Sequence, residues 1–231
     1  MAGESEVTEG RQPSWVRYLV PIAAAVALLL FGAAAGLLIK VPGAPTDTTP
    51  GPDSVDVGFA QDMSVHHEQA VQMATWERDH TTEPALRQLA FDIESTQSRQ
   101  IGHMQGWLGL WSAATQSSGR YMRWMPMPSA RPGHGMTGAG SSGVDRMPGM
   151  ATDEELRRLR TSTGQPMDVL FLQLMLRHHE GGTDMLSYAA AHAEQPDVRN
   201  LAGQMLTSQR SEADYLRQLL AQHGAAPLPS T

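Results

Sequence analysis

The sequence predicts an all-α fold in which four long helices form a four-helix bundle. One observation is that apolar residues recur at spacings of three and four, which is the pattern of one face of an amphipathic helix. The other is an internal repeat: residues 56–108 align without a gap on residues 168–220, and 16 of the 53 pairs are identical. Each repeat reads as helix, short turn and helix. Two such hairpins bury their apolar faces most simply against each other as one bundle.

An apolar segment at residues 19–39 precedes this bundle and predicts one transmembrane helix. Its 21 residues carry no charge and can span a hydrocarbon core of about 30 Å. Arg11 and Arg17 precede the segment, whereas only Lys40 follows it, so the positive-inside bias places residues 1–18 in the cytoplasm. We therefore expect a single-pass membrane protein whose C-terminal domain is extracytoplasmic. The alternative is a cleaved signal peptide and a secreted protein, although the apolar region of a signal peptide is normally shorter.

The remaining chain divides by composition. Residues 40–52 are rich in Pro, Thr and Gly and are expected to act as an extended linker. We expect the duplicated bundle to cover residues 53–223, with repeat A at 56–108 and repeat B at 168–220, followed by a tail at 224–231. A crossover rich in Met, Gly and Pro occupies residues 112–150, and its composition predicts irregular structure.

Turn and capping signals set the expected limits of the helices. Pro84 and Pro196 are expected to begin the second helix of each hairpin, because the first turn does not need the missing N–H. Short turns are therefore expected at 81–83 and 193–195. The run from Thr152 to Glu155 predicts a capping box and a short additional helix before repeat B.

The composition excludes several classes of function. The chain has no Cys, which excludes disulfides, thiolate zinc sites, iron–sulfur clusters and cysteine nucleophiles. Its net charge of -7 argues against nucleic acid as a partner. Phosphate-binding loops, dinucleotide motifs and a Ser-His-Asp order are also absent from the sequence. In contrast, 14 Met and 9 His are unusually many beside four Phe and four Tyr.

A motif Met-x-x-His-His-Glu occurs at the same place in both repeats, and it predicts a metal site in the bundle core. The helical angles place its Met and first His on the inward face, where histidine is unusual. A lone inward Met or His is more often a core residue, but the joint repetition favours metal binding. The candidate metal ligands are Met63, His66, His67, Met73, His80, Met175, His178, His179, Met185 and His192. For His80 and His192, which lie near the helix ends, capping of the helix C-terminus is an equally good interpretation.

Four further side chains are expected to support the ligands by holding imidazole N–H groups. Gln97 and Gln209 come level with the two His-His pairs when each hairpin is folded about its turn. Glu68 and Glu180 follow the His pairs directly and point away from the first His, so they are either surface groups or partners of a neighbouring imidazole.

The ligand types favour copper, and Cu(I) in particular. Imidazole suits zinc, copper, iron and nickel, whereas a thioether adds selectivity for soft copper. Other transition metals stay possible, but a di-iron carboxylate site would need inward Glu and a Glu-x-x-His spacing. The Met-rich crossover is either a flexible linker or a weak site for Cu(I) capture.

The two motifs FAQDMSVHHEQAVQMA (59–74) and FLQLMLRHHEGGTDML (171–186), with the preceding RMPGM and TDEEL, closely resemble a bacterial family known as domain of unknown function 305. The resemblance covers residues 53–223. It implies a ferritin-like four-helix bundle, typically exported, in a family that includes CopM-type periplasmic proteins that bind copper and support copper tolerance. For this chain it implies copper binding at the matching Met and His positions of both motifs. The apolar segment at 19–39 departs from a freely soluble periplasmic member and favours a tethered protein.

Together these observations predict a membrane-tethered, extracytoplasmic copper-binding protein for sequestration, tolerance or delivery, with a copper-handling protein as a possible partner. The first alternative is an enzyme, a metal-dependent oxidase of Cu(I) or Fe(II). The second is a structural or interaction module whose inward His and Gln form a hydrogen-bonded layer. We expect the non-enzymatic role.

Overall fold

The computed structural model describes residues 27–29, 49–126 and 143–229. The chain divides into two units, Met1–Thr48 and Thr49–Thr231. In the first unit, residues 27–29 are helical. None of the helices in the described ranges is both long and apolar enough to cross a membrane. The predicted anchor at 19–39 lies outside these ranges except for residues 27–29, and the predicted cytoplasmic segment 1–18 lies wholly outside them.

The second unit is built from helices. Apart from them, its described residues contain one isolated antiparallel bridge between Tyr121 and Val144. The all-α class is therefore confirmed. The helices are α1 (Val55–His80), α2 (Pro84–Leu110), α3 (Asp153–Thr161), α4 (Gln165–His192) and α5 (Pro196–Gln222).

The limits of the helices follow the local signals. The side chain of Ser54 accepts a hydrogen bond from the backbone N–H of Val57 and caps α1. Pro84 and Pro196 are the first residues of α2 and α5, as the sequence predicts. At α3, both hydrogen bonds of the capping box between Thr152 and Glu155 are formed.

The two hairpins, α1–α2 and α4–α5, meet chiefly through α1 and α4. Each of these two helices begins beside the end of the other, which shows that they run in opposite directions. The carboxylate of Asp56 in the first turn of α1 accepts hydrogen bonds from the backbone N–H groups of Glu194 and Gln195, at 2.9 and 2.8 Å, just beyond the end of α4. At the opposite end, the carboxyl group of Asp168 in the first turn of α4 lies beside that of Glu77 near the end of α1 and raises its pKa.

Two apolar clusters form the core. One contains Met63 of α1 with Met185 of α4, and the other contains Met73 of α1 with Met175 of α4. All four methionine side chains are buried. The His-His pairs fall between the methionines along both helices, so the polar layer lies between the two apolar clusters.

Tertiary contacts recur at the offset of the internal repeat, 112 residues. The side-chain amide of Gln61 donates to the carbonyl of Ala114 at 2.7 Å, and that of Gln173 donates to the carbonyl of Ala226 at 2.7 Å. In both halves this bond ties the chain that follows the second helix back to the first helix.

The described parts of the crossover are packed onto α1. The carboxylate of Asp62, which is 1 % exposed, accepts from the backbone N–H of Met122 at 2.6 Å, from the indole of Trp124 at 2.8 Å and from the hydroxyl of Ser117 at 3.3 Å. Gly58 makes room for this indole, since a Cβ there would lie 2.4 Å from it. The expectation of irregular structure holds for these parts, but they are ordered by specific contacts. Residues 127–142 lie outside the described ranges.

Candidate metal centre

The centre of the second unit is a layer of four buried histidines. The rings of His66 and His178 lie against each other where α1 crosses α4, with 3.8 Å between their centroids and an angle of 35° between their planes. His67 and His179 flank this pair, with ring centroids 6.5 Å from His66 and 6.3 Å from His178 respectively. All four are at most 1 % exposed. The structure thus brings together the four histidines that the repeated motif predicts.

Each imidazole is held through its Nε2 atom. His66 Nε2 lies 3.2 Å from the carbonyl oxygen of Pro148, and His178 Nε2 lies 2.9 Å from the carbonyl oxygen of His66 itself. A carbonyl oxygen only accepts hydrogen bonds, so both Nε2 atoms must carry the proton. A neutral imidazole has one N–H, and therefore the Nδ1 atoms of both rings keep a free lone pair.

The outer histidines are oriented in the same way. His67 Nε2 lies 2.9 Å from Oε1 of Gln100, and His179 Nε2 lies 2.7 Å from Oε2 of Glu212. The carboxylate of Glu212 fixes the proton on Nε2 of His179, and the amide oxygen of Gln100 does the same for His67.

The Nδ1 atoms of His66, His67, His178 and His179 are all buried without a hydrogen-bond partner in the described residues. A buried acceptor left unpaired costs free energy, on the order of 1–3 kcal/mol each. Four such atoms in one layer are the most unusual feature of this core. Lone pairs of this kind are what a metal ion requires from histidine.

Burial keeps most of these imidazoles neutral. It lowers the pKa of His66 to about 4. Burial and the neighbouring His66 lower the pKa of His67 to about 3. Burial and the other three histidines lower the pKa of His178 well below its ordinary value. At neutral pH these three side chains are therefore in the form that binds metals.

The imidazole partners differ from the expected ones. Glu68 and Glu180 are exposed, and Glu180 is paired with Arg217. Instead of Glu68 and Glu180, Gln100 and Glu212 hold the outer histidines. These two residues occupy equivalent positions on the inward face of α2 and α5, 33 residues after their histidines. The signal that could have identified them is this shared spacing, but comparison of the repeats for identical residues misses a Gln–Glu pair.

Gln97 and Gln209 are buried in the layer, at 2 % and 5 % exposure. Neither polar atom of the Gln97 side chain has a hydrogen-bond partner in the described residues, and neither does Oε1 of Gln209. The expectation that these amides anchor imidazoles is therefore not met by any of these three atoms. They instead add to the unpaired polar atoms of the centre.

The carbonyl oxygen of Pro148 is brought to His66 by a close contact of two glycines. A Cβ on Gly181 would lie 2.4 Å from the Pro148 oxygen, and a Cβ on Gly149 would lie 2.5 Å from the carbonyl oxygen of Arg177. Gly149 also has a φ of 79°, which disfavours other residues. The crossover thus rests directly on the backbone of α4. Sequence reasoning missed this contact, although the Gly181-Gly182 pair has no counterpart in repeat A.

His80 and His192 are not part of the layer. His80 is exposed at the end of α1, about 21 Å along the helix from His66. Its ring stacks on Trp76 at 3.7 Å, and its Nδ1 lies 2.8 Å from the carbonyl oxygen of that residue. His192 is exposed at the end of α4 and lies against Tyr188 at 4.3 Å. The alternative interpretation as helix-end groups fits both positions.

Within the described ranges, no three His, Asp or Glu side chains are spaced to hold one metal ion. The four histidines therefore do not surround a single point. Any ion in this layer would need a smaller set of imidazoles, supplemented by the thioether or amide groups beside them.

Comparison with known proteins identifies the family. The family model described as Domain of unknown function (DUF305) matches residues 56–220. The chain belongs to the DUF305 family. No curated protein matches the sequence.

Solved structures show the same fold. A DUF305 protein from Streptomyces coelicolor, described as secreted, is 41 % identical and has a TM-score of 0.68, and the match covers 78 % of this chain and 99 % of that one. A DUF305 fragment from Deinococcus radiodurans is 28 % identical, with a TM-score of 0.59 and coverage of 75 % and 99 %. CopM in its Cu(I)-bound form is 24 % identical, with a TM-score of 0.52 and coverage of 72 % and 96 %. CopM has also been solved with Cu(II) and with Ag bound.

Proposed function

We propose that this DUF305 protein binds a soft transition-metal ion, copper first, in the layer formed by His66, His67, His178 and His179. The single observation that carries the proposal is the set of four buried Nδ1 atoms without a partner. In metal sites, the ligating imidazole nitrogen is accompanied by an N–H on the other nitrogen that donates to a carbonyl or carboxylate. Every histidine of this layer already has that second bond.

The flanking methionines favour copper over zinc. Met63 and Met185 lie on one side of the layer, and Met73 and Met175 lie on the other. A neutral imidazole together with a thioether is a soft ligand set that suits Cu(I). The same chemistry suits Ag(I). CopM, which shares the fold, has been solved with both metals, and they are the first ions to test here.

We propose holding or transfer of the ion as the role, rather than catalysis. The ion would be cargo, bound by two imidazoles or by imidazole and thioether, and passed on to a copper-handling protein or kept from other sites. We place this activity outside the cytoplasm, on a chain tethered through residues 19–39. The support is the apolar character of that segment and the description of the Streptomyces relative as secreted.

The test is an anaerobic titration of the full chain with Cu(I) against a competing chelator, with Ag(I), Zn(II) and Ni(II) in parallel. We expect saturable Cu(I) binding that is lost in the double variant His66→Ala, His178→Ala. The matched control is His80→Ala, His192→Ala, which removes two exposed histidines and should leave binding unchanged. Circular dichroism checks that both variants keep their helices.

Three outcomes would contradict the proposal. Failure of every metal to compete with the chelator would make the layer a structural polar core. Unchanged stoichiometry in the His66/His178 variant would place the ions elsewhere. In a separate aerobic assay, continuous oxygen consumption with Cu(I) or Fe(II) would indicate an oxidase instead of a binding protein.

A further inference from the structure

Gly182 lies against the histidine layer on the side of repeat B, where there is little room for a side chain. A Cβ on this residue would lie 3.2 Å from Cε1 of His66, 3.7 Å from Nδ1 of His66 and 3.4 Å from Oε1 of Gln209. Both of the polar atoms are buried and unpaired in the described residues. The equivalent residue of repeat A is Ala70, whose side chain has the methyl group that Gly182 lacks. The missing methyl group therefore distinguishes repeat B from repeat A at this position.

A surface pocket shares one residue, Gln209, with the surroundings of Gly182. It has a volume of about 270 Å³ and lies between α4 and α5. Its lining includes two residues of the buried layer, His179 and Gln209. Gln209 thus lies both in the wall of the pocket and beside Gly182, whose other neighbour is the ring of His66.

The mouth of this pocket is bridged by one arginine. Arg217 of α5 donates to Glu180 of α4 at 2.6 Å and to Asp214 of α5 at 2.7 Å. The three side chains are exposed. At the equivalent positions repeat A has Gln105 in place of the arginine and Gly102 in place of the aspartate, so this bridge also belongs to repeat B alone.

We infer that this pocket is the entrance through which a monovalent soft cation reaches the histidine layer, with Gly182 keeping the passage open and Arg217 covering the mouth. The inference rests on the proposed function and adds a direction to it: the ion enters from the side of repeat B. Gln209 Oε1, an unpaired oxygen in the wall of the passage, is the first internal group that the cation meets. Two carboxylates, Glu180 and Asp214, line the pocket with Arg210 and Arg217, and once the cation displaces Arg217 the carboxylates outnumber the remaining arginine and attract it.

The test compares rates of metal uptake with the amount bound at equilibrium. The full chain takes Cu(I) anaerobically from a chromophoric Cu(I) chelator, and the loss of the chelator's absorbance gives the rate. Gly182→Ala should slow uptake at least tenfold, since the new methyl overpacks the passage against His66. A tenfold change in rate corresponds to about 1.4 kcal/mol in the barrier. Arg217→Gln should speed uptake about threefold at low ionic strength and leave the amount bound unchanged, since it removes a positive charge from the mouth.

The matched control is Gly203→Ala. This residue also lies in a helix, α5, but a Cβ there meets no atom within 4 Å. The control should take up Cu(I) at the rate of the unchanged chain. Circular dichroism and equilibrium binding of Ag(I) show whether Gly182→Ala still folds and still has its ligands.

The outcomes separate the entrance from the proposed function. If the unchanged chain binds neither Cu(I) nor Ag(I), the proposed function fails and the entrance fails with it. If the chain without substitutions binds Cu(I), but Gly182→Ala and Arg217→Gln take it up as fast as that chain does, only the entrance is refuted. Should Gly182→Ala lose the helices, Gln209→Leu replaces it as the test variant. Uptake by Gln209→Leu at the unchanged rate would equally refute the entrance.

Discussion

Replacing Glu77 by Gln should make the protein more stable, and increasingly so as the pH rises. Glu77 is completely buried near the end of α1. No donor in the described residues reaches either of its oxygens, and a hydrogen bond to the neighbouring carboxylate of Asp168 forms only when one of the two groups holds a proton. Burial, then the hydrogen bond and charge of Asp168, then the charge of Glu83, raise the pKa of Glu77 from 4.5 to about 9.

The sign of the effect follows from where the proton is held. Between pH 4.5 and 9 the native state keeps the proton on Glu77, whereas the unfolded chain has lost it. The contribution of this group to stability is thus complete below the unfolded pKa and falls as the pH rises, by about 1.4 kcal/mol for each pH unit. Gln has the same shape as Glu and can donate a hydrogen bond to Asp168, but its amide does not titrate. The free energy of unfolding of the variant therefore lacks this decrease with pH.

The assay is guanidinium unfolding of the unchanged chain and of Glu77→Gln at pH 7.5 and 8.5. The two proteins have the same histidines, so the titration of these side chains cancels from the comparison. The stability difference between the two proteins should grow by about 1.4 kcal/mol across the window. Glu194→Gln, the same substitution at an exposed glutamate, should show no such growth. A constant difference for Glu77→Gln would mean that Glu77 is ionised in the native state, and it would refute the shared proton.

Three further substitutions test the contacts that hold the crossover and α3 in place. Glu155→Gln should cost about 2 kcal/mol, because the guanidinium of Arg177, which is 7 % exposed, donates two hydrogen bonds to the carboxylate of Glu155. Arg177 lowers the pKa of Glu155 to about 2. The stabilisation by this pair is therefore present above pH 4.5 and is lost as the pH falls towards 2. Asp62→Ala should cost about 2 kcal/mol by removing the acceptor of the Trp124 indole and of the Met122 N–H, and it should shift the tryptophan fluorescence. Gly181→Ala should cost at least about 2 kcal/mol by pushing the crossover off α4, whereas Gly203→Ala should stabilise by about 0.5 kcal/mol. Denaturant unfolding measures all of them, and unchanged midpoints for the three destabilising variants would contradict the contacts.

The sequence predicts the helices and the histidine layer for different reasons. The limits of the helices depend on local signals, such as Pro84 and Pro196 in the first turn and the capping box at Thr152. Such signals can be recognised from the residue types alone. The layer is predictable because both repeats have it at the same place, which separates His66 and His178 from ordinary core residues.

The contacts that sequence reasoning missed are those made by only one repeat. Asp62 is replaced by Leu174 in repeat B, and Glu77 by Ala189, so comparison of the repeats gives no signal for either side chain. The partner of His66 is the backbone carbonyl oxygen of Pro148, and a backbone oxygen gives no signal in the sequence. Its position depends on how the crossover packs. Such contacts are set by tertiary packing and break the symmetry of the two halves.

The most direct test of the central claim is nitrogen-15 NMR of the histidine rings during titration of the full chain with Ag(I), which is diamagnetic. Before the metal is added, we expect His66 and His178 to have a proton on Nε2 and a free Nδ1. On addition of Ag(I), the Nδ1 signals should shift as ligands while the Nε2 protons stay. Tight Ag(I) binding with all four Nδ1 signals of the layer unchanged, or binding that removes the Nε2 protons, would contradict the account.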